Sequence, residues 1–444
     1  MDQHSLFPLP EADAVPAPQP TPPEHARVMR PNREQLQWMA RDLDAALAQG
    51  HPARAIWDFL ERRDLSAFYG SIRAVLDGPG RPTTDPQVLL AVWLLGTAEG
   101  IGSARRLARL CDEHDAYRWL CGGVPINYHM LADFRVAQRA ALDDLLTQII
   151  ASLMAAGVVS LERVAQDGMR VRASAGAASF RRRDTLEACL QAAREQVERV
   201  AVDGVHPEIE QREQAARERA ARERLARVEQ ALAYLPEMDR KKEAQQRSYT
   251  KDKRAKVTEA RTSTTDPEAR VMKMPDGGFR PAYNVQFATD GAHGVIVGVA
   301  VTNAGTDAGQ ASPVVEQIAR RTGERPRDYL IDGGFATRED ITALETAGVT
   351  VYAPVRLPRN KAEAERYARR WGDSPEVASW RARMASSAAG AVYRQRGAIA
   401  EWTNAQARQH GVTQLNVRGL MNATSVMLLV AVAHNMLRCF RLST

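Results

Sequence analysis

Between about residues 33 and 156 the apolar positions recur at helical spacing. Asp85-Pro86 reads as an N-cap followed by proline at the first helical position, and Val88 to Leu95 then supplies a buried face. Ser103 can cap the next short helix, which points Leu107 and Leu110 inward and Arg105, Arg106 and Arg109 outward. Gly122-Gly123-Val124-Pro125 signals a turn, and Asn127 can cap a further helix expected to carry Arg135 and Arg139. Short helices with a basic last member suit a helix-turn-helix reader, with Arg105 and Arg135 toward DNA, or an ordinary bundle with solvated arginines. Residues 1–32, with Pro16, Pro18, Pro20, Pro22 and Pro23 close together, cannot form a packed core and read as a disordered leader.

Residues 161–173 read as a strand that leaves at Asp167 and runs into a basic stretch, Arg170, Arg172, Arg181, Arg182 and Arg183. The chain then becomes dense in Glu, Arg, Gln and Ala, with i,i+4 charge pairs as in the segment from Gln211 to Arg219. Pro207 and Pro236 divide this stretch, and Leu225, Val228, Leu232 and Leu235 recur at helical spacing near its end. Residues 184–265 are therefore expected to be a charged helical insertion, read either as a working domain or as a solvated arm without chemistry.

From residue 280 the period becomes that of strands. Tyr283 to Ala288 alternates, Gly294 to Val301 is a β-branched run, and Asp290-Gly291 between them is a hairpin turn. A helix around Ser312 to Thr322, a strand at Asp328 to Ile331, a helix near Arg338 to Ala347 and a strand at Val349 to Val355 follow. Residues 357–390 read as a polar, mostly helical connector, and 397–440 as a helical tail. The pattern predicts an α/β domain, three antiparallel strands and then helix-strand units, split into 157–183 and 266–444 by the insertion.

Composition narrows this picture. A chain of 444 residues holds two or three domains with real cores. The net charge of +6 and sequence pI of about 9.2 suit a polyanionic partner. Four scattered cysteines, Cys111, Cys121, Cys189 and Cys439, point to reduced thiols and a cytoplasmic setting. Cys111, His114, Cys121 and His129 can be drawn as a zinc quartet, but their spacing fits no familiar finger. No secretory signal is expected, and the longest apolar run, Val426 to Ala433, is too short to cross a bilayer and reads as buried helix. The want of a Gly-rich phosphate loop after a first strand argues against a kinase or a dehydrogenase.

The chemistry is carried by carboxylates. Asp167 and Asp332 each stand at the expected end of a strand with glycine directly after, and Glu401 stands in a segment of helix formers. Asp and Glu supply the oxygen ligands that hard divalent cations take. Two such ions, roughly 3.5–4 Å apart, serve phosphodiester cleavage by activating the nucleophile and relieving charge on the leaving oxygen. Asp307 is the runner-up carboxylate, with helix N-cap as its alternative role; Asp332 is preferred because a buried strand runs straight into it.

With these residues in place, most of the chain resembles the DDE transposases of bacterial insertion sequences, in the subgroup with an N-terminal helical domain and a helical insertion. Asp167-Gly168-Met169 is similar to the family's first motif, and Asp332-Gly333-Gly334-Phe335 to its second. Tyr393, Arg396, Glu401 and Arg408 fit the third, and Asp266 to Arg270 followed by Tyr283-Asn284-Val285-Gln286 resembles the lead-in to the second strand. Two departures stand out. Arg408 replaces the usual Lys, and four residues separate Arg396 from Glu401 where the commonest form has three. On a continuous α-helix that extra residue would rotate Arg396 by about 100°.

The resemblance implies an RNase H-like catalytic fold in which Asp167, Asp332 and Glu401 hold two Mg²⁺ or Mn²⁺ ions. Tyr393, Arg396 and Arg408 would contact the phosphates of the element's ends, while Tyr393 as a core aromatic and Trp402 as core packing are the structural alternatives. The expected activity is binding of terminal inverted repeats, strand cleavage and transfer of 3′-hydroxyl ends to target DNA. At least a dimer in the active complex and no membrane partner are expected, in the bacterial cytoplasm at the nucleoid. The rival functions are a metal-dependent nuclease that never rejoins and a non-catalytic DNA-binding protein of the same fold.

Overall fold

A computed structural model describes residues 42–70, 72, 83–202, 211–247, 259–357 and 365–443; the Pro-rich leader and Pro207 lie outside the described residues. All the elements below belong to one unit, Leu43–Thr444. The chain enters it through helices α1 (Pro52–Glu61), α2 (Ser66–Tyr69), α3 (Pro86–Ala98), α4 (Ala104–Glu113), α5 (Asp115–Cys121), α6 (Tyr128–Ala137) and α7 (Arg139–Ala155). The expected caps form. The side chains of Asp85, Ser103 and Asn127 accept from the backbone N–H of Gln87, Arg106 and Met130. Helix α3 is buried on every side from Val88 to Thr97, so it is the centre of the helical layer. Arg139 is not on the Asn127-capped helix with Arg135; it opens α7.

Strand β1 (Arg163–Arg172) leads by way of β2 (Phe180–Arg181) into α8 (Arg183–Val202) and α9 (Gln211–Arg247), and the chain returns through β3 (Thr262–Ser263). β2 and β3 pair antiparallel at the root of this arm. Leu186 of α8 packs with Ala231 and Leu235 of α9 and with Ala260, so the arm has a small core of its own. Pro236 sits inside α9 without ending it.

The rest of the sheet comprises β4 (Arg270–Lys273), β5 (Phe279–Asp290), β6 (Ile296–Thr302), β7 (Asp328–Leu330) and β8 (Thr350–Tyr352). β1 pairs antiparallel with β5 and parallel with β7, β7 pairs parallel with β8, and β6 pairs with β5. This is the antiparallel trio followed by parallel strands that the pattern predicts. The strand does not leave at Asp167, however. Its ladder with β5 runs on to Arg172, and Asp167 faces Phe287 in mid-strand. From Pro281 to Asp290, β5 is buried on both faces rather than alternating, because helices cover the sheet on either side.

Helices α10 (Ala311–Thr322), α11 (Arg338–Thr346), α12 (Pro375–Met384), α13 (Ser387–Tyr393), α14 (Trp402–Gln409) and α15 (Leu420–Ser443) complete the unit. The tail is not one helix. Gly411 and Gly419 take left-handed φ values of 80° and 85°, and the loop between them lays Gln414 beside Arg172. A Cβ on Gly411 would stand 2.6 Å from the Gly100 carbonyl oxygen, so glycine is required there twice over. The segment Leu420–Leu442 is apolar and long enough to cross a bilayer, but 67% of its 18-residue apolar window is buried inside the protein, as befits a core helix.

Side chains close the outer strands. Asn435 of α15 accepts from Ile296 N–H and donates to its C=O, both at 2.8 Å, and Gln317 of α10 does the same for Val299. Arg321 donates to Val297 C=O. On β8, Glu345 accepts from Val351 N–H and Arg383 donates to its C=O. Asn435→Leu should therefore cost about 1–3 kcal/mol, the penalty of buried backbone groups left without partners. Urea unfolding of the variant against wild type measures it, and an unchanged midpoint would refute the edge role of Asn435.

Candidate active site

The parallel register sets the first two carboxylates side by side. Ala165 faces Leu330, and two residues further along each strand stand Asp167 and Asp332. Neighbouring strands lie roughly 4.8 Å apart, which brings the two acids into electrostatic range. Asp332 sits just past β7, where its Oδ1 accepts from Gly334 N–H at 2.6 Å. Gly168 lies within the β1 ladder, whereas Gly333 and Gly334 form a turn closed by Phe335 N–H on the Asp332 carbonyl at 3.2 Å; none of the three takes a positive φ. A Cβ on Gly168 would lie 2.3 Å from Asp307 Oδ1 and 2.7 Å from Gln286 Nε2. One on Gly334 would lie 2.8 Å from Asp332 Oδ1.

The third acid arrives on the tail. Between α13 and α14 the segment Gly397–Glu401 is a π-turn. Its i→i+5 bonding absorbs one residue more than an α-turn does. The extra residue between Arg396 and Glu401 therefore produces no 100° rotation. Arg396 Nη1 lies 3.6 Å from Asp167 Oδ1, and its Nη2 lies 3.9 Å from Glu401 Oε1. Ile399 and Ala400 of the π-turn pack on Ala165 and Leu330, which holds the turn over β1 and β7. Trp402 rests on Gly294 and edge-on against His434, so it is a packing residue.

The electrostatics follow burial. Desolvation raises the Asp167 carboxyl above its ordinary range against the pull of Arg396 and Gly168 N–H, and Asp332 and Asp307 raise it further. At Arg396 burial opposes the charge, but Asp167 and then Tyr393, which hydrogen-bonds the guanidinium, hold it protonated. The two partners thus answer differently: burial outweighs the attraction at Asp167 and loses to it at Arg396. Glu401 is 69% exposed, whereas Asp167 is 20% exposed.

Asp307 is occupied otherwise. Asn284 donates to its Oδ1 at 2.7 Å, Gln286 to the same atom at 2.8 Å and Arg170 to Oδ2 at 3.1 Å. It is a buried acid held by three donors behind Gly168, which favours Asp332 as the more open carboxylate. Asn404 escaped the sequence reading. It lies one helical turn past Glu401, is 5% exposed and donates to Asp167 Oδ2 at 3.0 Å. Its signal was the i,i+3 spacing from Glu401, which places both on one helix face.

The basic residues divide. Arg105 is exposed with its guanidinium 4.9 Å over the Tyr128 ring, and Arg408 is exposed on α14. Tyr393 is half-buried against the main core. Arg135 corrects the expectation of a DNA contact. It is 5% exposed, donates to Gly102 C=O and stacks 4.5 Å over Trp93 beside the His410–Asn416 loop. Burial lowers it to about 10, so it stays charged as an internal strut. The zinc quartet does not form either. Cys111 and Cys121 are neighbouring buried free thiols, and among the described residues no cluster of three His, Cys, Asp or Glu side chains is arranged to hold a metal.

Two family models match the chain. Residues 41–137 match the transposase domain (DUF772), and residues 256–436, which hold Asp332, Glu401 and every strand of the main sheet except β1, match the transposase DDE domain. The chain belongs to the DDE transposases. No curated protein and no solved structure matches it. As a transposase it acts on DNA, and enzymes of this type use divalent metal ions.

Two outcomes test this geometry. Gly168→Ala should disrupt the Asp307 cage beside Asp167, lowering the thermal midpoint and abolishing DNA cleavage; a variant with wild-type melting and cleavage would refute the close approach. Deleting Ala398 should turn the π-turn into α-helix while leaving Arg396 and Glu401 on one face, so cleavage should survive. A complete loss with intact folding would show that the π-turn itself is required.

Proposed function

We propose that this transposase binds the terminal inverted repeats of its element, cuts the strands by two-metal phosphodiester hydrolysis and joins the 3′-hydroxyl ends to target DNA. The observation that carries the reading is the placement of Asp167 beside Asp332 at the end of the parallel strands, with Arg396 reaching from Asp167 to Glu401; the three carboxylates are not closed into a metal-ligating cluster among the described residues. The donor set is all oxygen and suits Mg²⁺ or Mn²⁺. Asp167, Asp332 and Glu401 would hold the ions, which when bound supply charge relief on the phosphate and activation of the attacking oxygen. Around them an RNase H-like arrangement of β6-β5-β1-β7-β8 fixes the first two acids on rigid backbone, and the tail brings the third.

The other groups have roles in this reading. Arg396 and Tyr393 form a hydrogen-bonded pair at the site and would receive the phosphate being cut, while Arg408 two turns beyond Glu401 and Arg105 on α4 would hold the backbone of the element end. The division into a helical domain at 33–156, a split catalytic domain at 157–183 and 266–444, and an insertion at 184–265 gives DNA more than one face to rest on. Holding two ends at once calls for at least a dimer, working in the cytoplasm at the nucleoid.

Labelled DNA carrying the element ends tests this with Mg²⁺, Mn²⁺ or EDTA. Glu401→Gln and Asp332→Asn should each reduce nicking and joining by at least about 10³-fold, on the scale of removing a main catalytic electrostatic group, while end binding persists. Asp307→Asn should instead lower the melting temperature. Nicking without joining of a pre-cut end would favour a nuclease. Cleavage lost in Asp307→Asn alone, with both variants folded, would overturn the assignment of Asp332.

A further inference from the structure

We propose that Asn404 is a positioning residue of the transposition reaction, fixing which oxygen of Asp167 faces the metal site; the inference rests on the function proposed above. Three observations carry it. The side chain is 5% exposed in the wall of the site. Its Nδ2 donates to Asp167 Oδ2 at 3.0 Å, and Gly168 N–H and Arg396 address Oδ1. Its own Oδ1 is buried with no hydrogen-bond partner.

The amide has one sensible orientation. Turned over, it would press a carbonyl oxygen against a carboxylate oxygen, so the donor must face Asp167 and the acceptor must point away. A buried acceptor left unpaired is unfavourable, and folds keep such groups where another requirement overrides. Here the requirement is orientation. A carboxylate that binds a cation needs an outer partner to fix its plane, and hydrogen-bond donors of this kind tune affinity without touching the ion. Asp167 lies in mid-strand, where β1 sets its Cβ direction but not the rotation of its carboxyl. Asn404 supplies that constraint from the helix that also carries Glu401, so the two acids are coupled through one rigid element. The π-turn makes this possible, because Arg396, Glu401, Asn404 and Arg408 then follow one face at spacings of five, three and four residues.

The test uses the full chain with element-end DNA and Mn²⁺ alone as the metal probe. Asn404→Ala removes the side chain; Asn404→Asp keeps its shape and removes the donor. Both should weaken Mn²⁺ binding, read by electron paramagnetic resonance without turnover, and slow cleavage about 10–100-fold, the range for outer partners of metal ligands. End binding in EDTA should stay at the wild-type level. Should Asn404→Ala fail to fold, Asn404→Asp carries the measurement. Wild-type Mn²⁺ affinity and cleavage in Asn404→Asp would make Asn404 a packing residue and overturn the inference. A wild-type chain that neither binds Mn²⁺ nor cuts would overturn the function itself, and this role with it.

Discussion

A carboxylate in the middle of a central strand is costly to bury, and the fold around β1 is organised by how that cost is offset. Asp167 is held in the β5 ladder two residues past the last pair of β1 with β7, so no loop can swing it toward water. Burial pushes its carboxyl above the ordinary range. The tail answers with Arg396 and Asn404, one a charge and the other a neutral donor, each directed at a different oxygen. Those two residues can reach β1 only because Ile399 and Ala400 seat the π-turn on Ala165 and Leu330. The sheet and the tail are thus parts of a single electrostatic arrangement.

The second acid face is built by opposite means. Asp307 is surrounded by Asn284, Gln286 and Arg170, and Gly168 is the space that lets it approach. It accepts from three donors, whereas Asp332 on the other side accepts from Gly334 N–H alone. The less engaged acid keeps more oxygen free to serve as a ligand. That contrast, rather than strand position, separates the two candidates physically.

Much of this was legible in the sequence because it depends on short-range chemistry. The caps at Asp85, Ser103 and Asn127, the β5–β6 hairpin and the order of strands and helices all follow from local pattern. The three candidate acids were likewise chosen from motif spacing, which needs no coordinates. What escaped depends on contacts across the chain. Arg135 looked like every other outward arginine until Trp93 and the Gly102 carbonyl enclosed it. Asn404 carries no strong helical signal, and its partner lies 237 residues upstream. The π-turn is invisible to periodicity because one added residue reads as a mismatch rather than as a different turn. The break at Gly411 and Gly419 was missed although both glycines were in plain view.

The side chains that close β6 and β8 bear on how a transposase assembles. Asn435, Gln317 and Arg321 on one edge, and Glu345 and Arg383 on the other, occupy the positions that the backbone of an added strand would use. Along those stretches the ladder cannot be lengthened by another chain without first breaking these bonds. Pairing of copies, as proposed above, would therefore not run through those two stretches of edge and would be left to other surfaces, with no route from them into open-ended strand stacking.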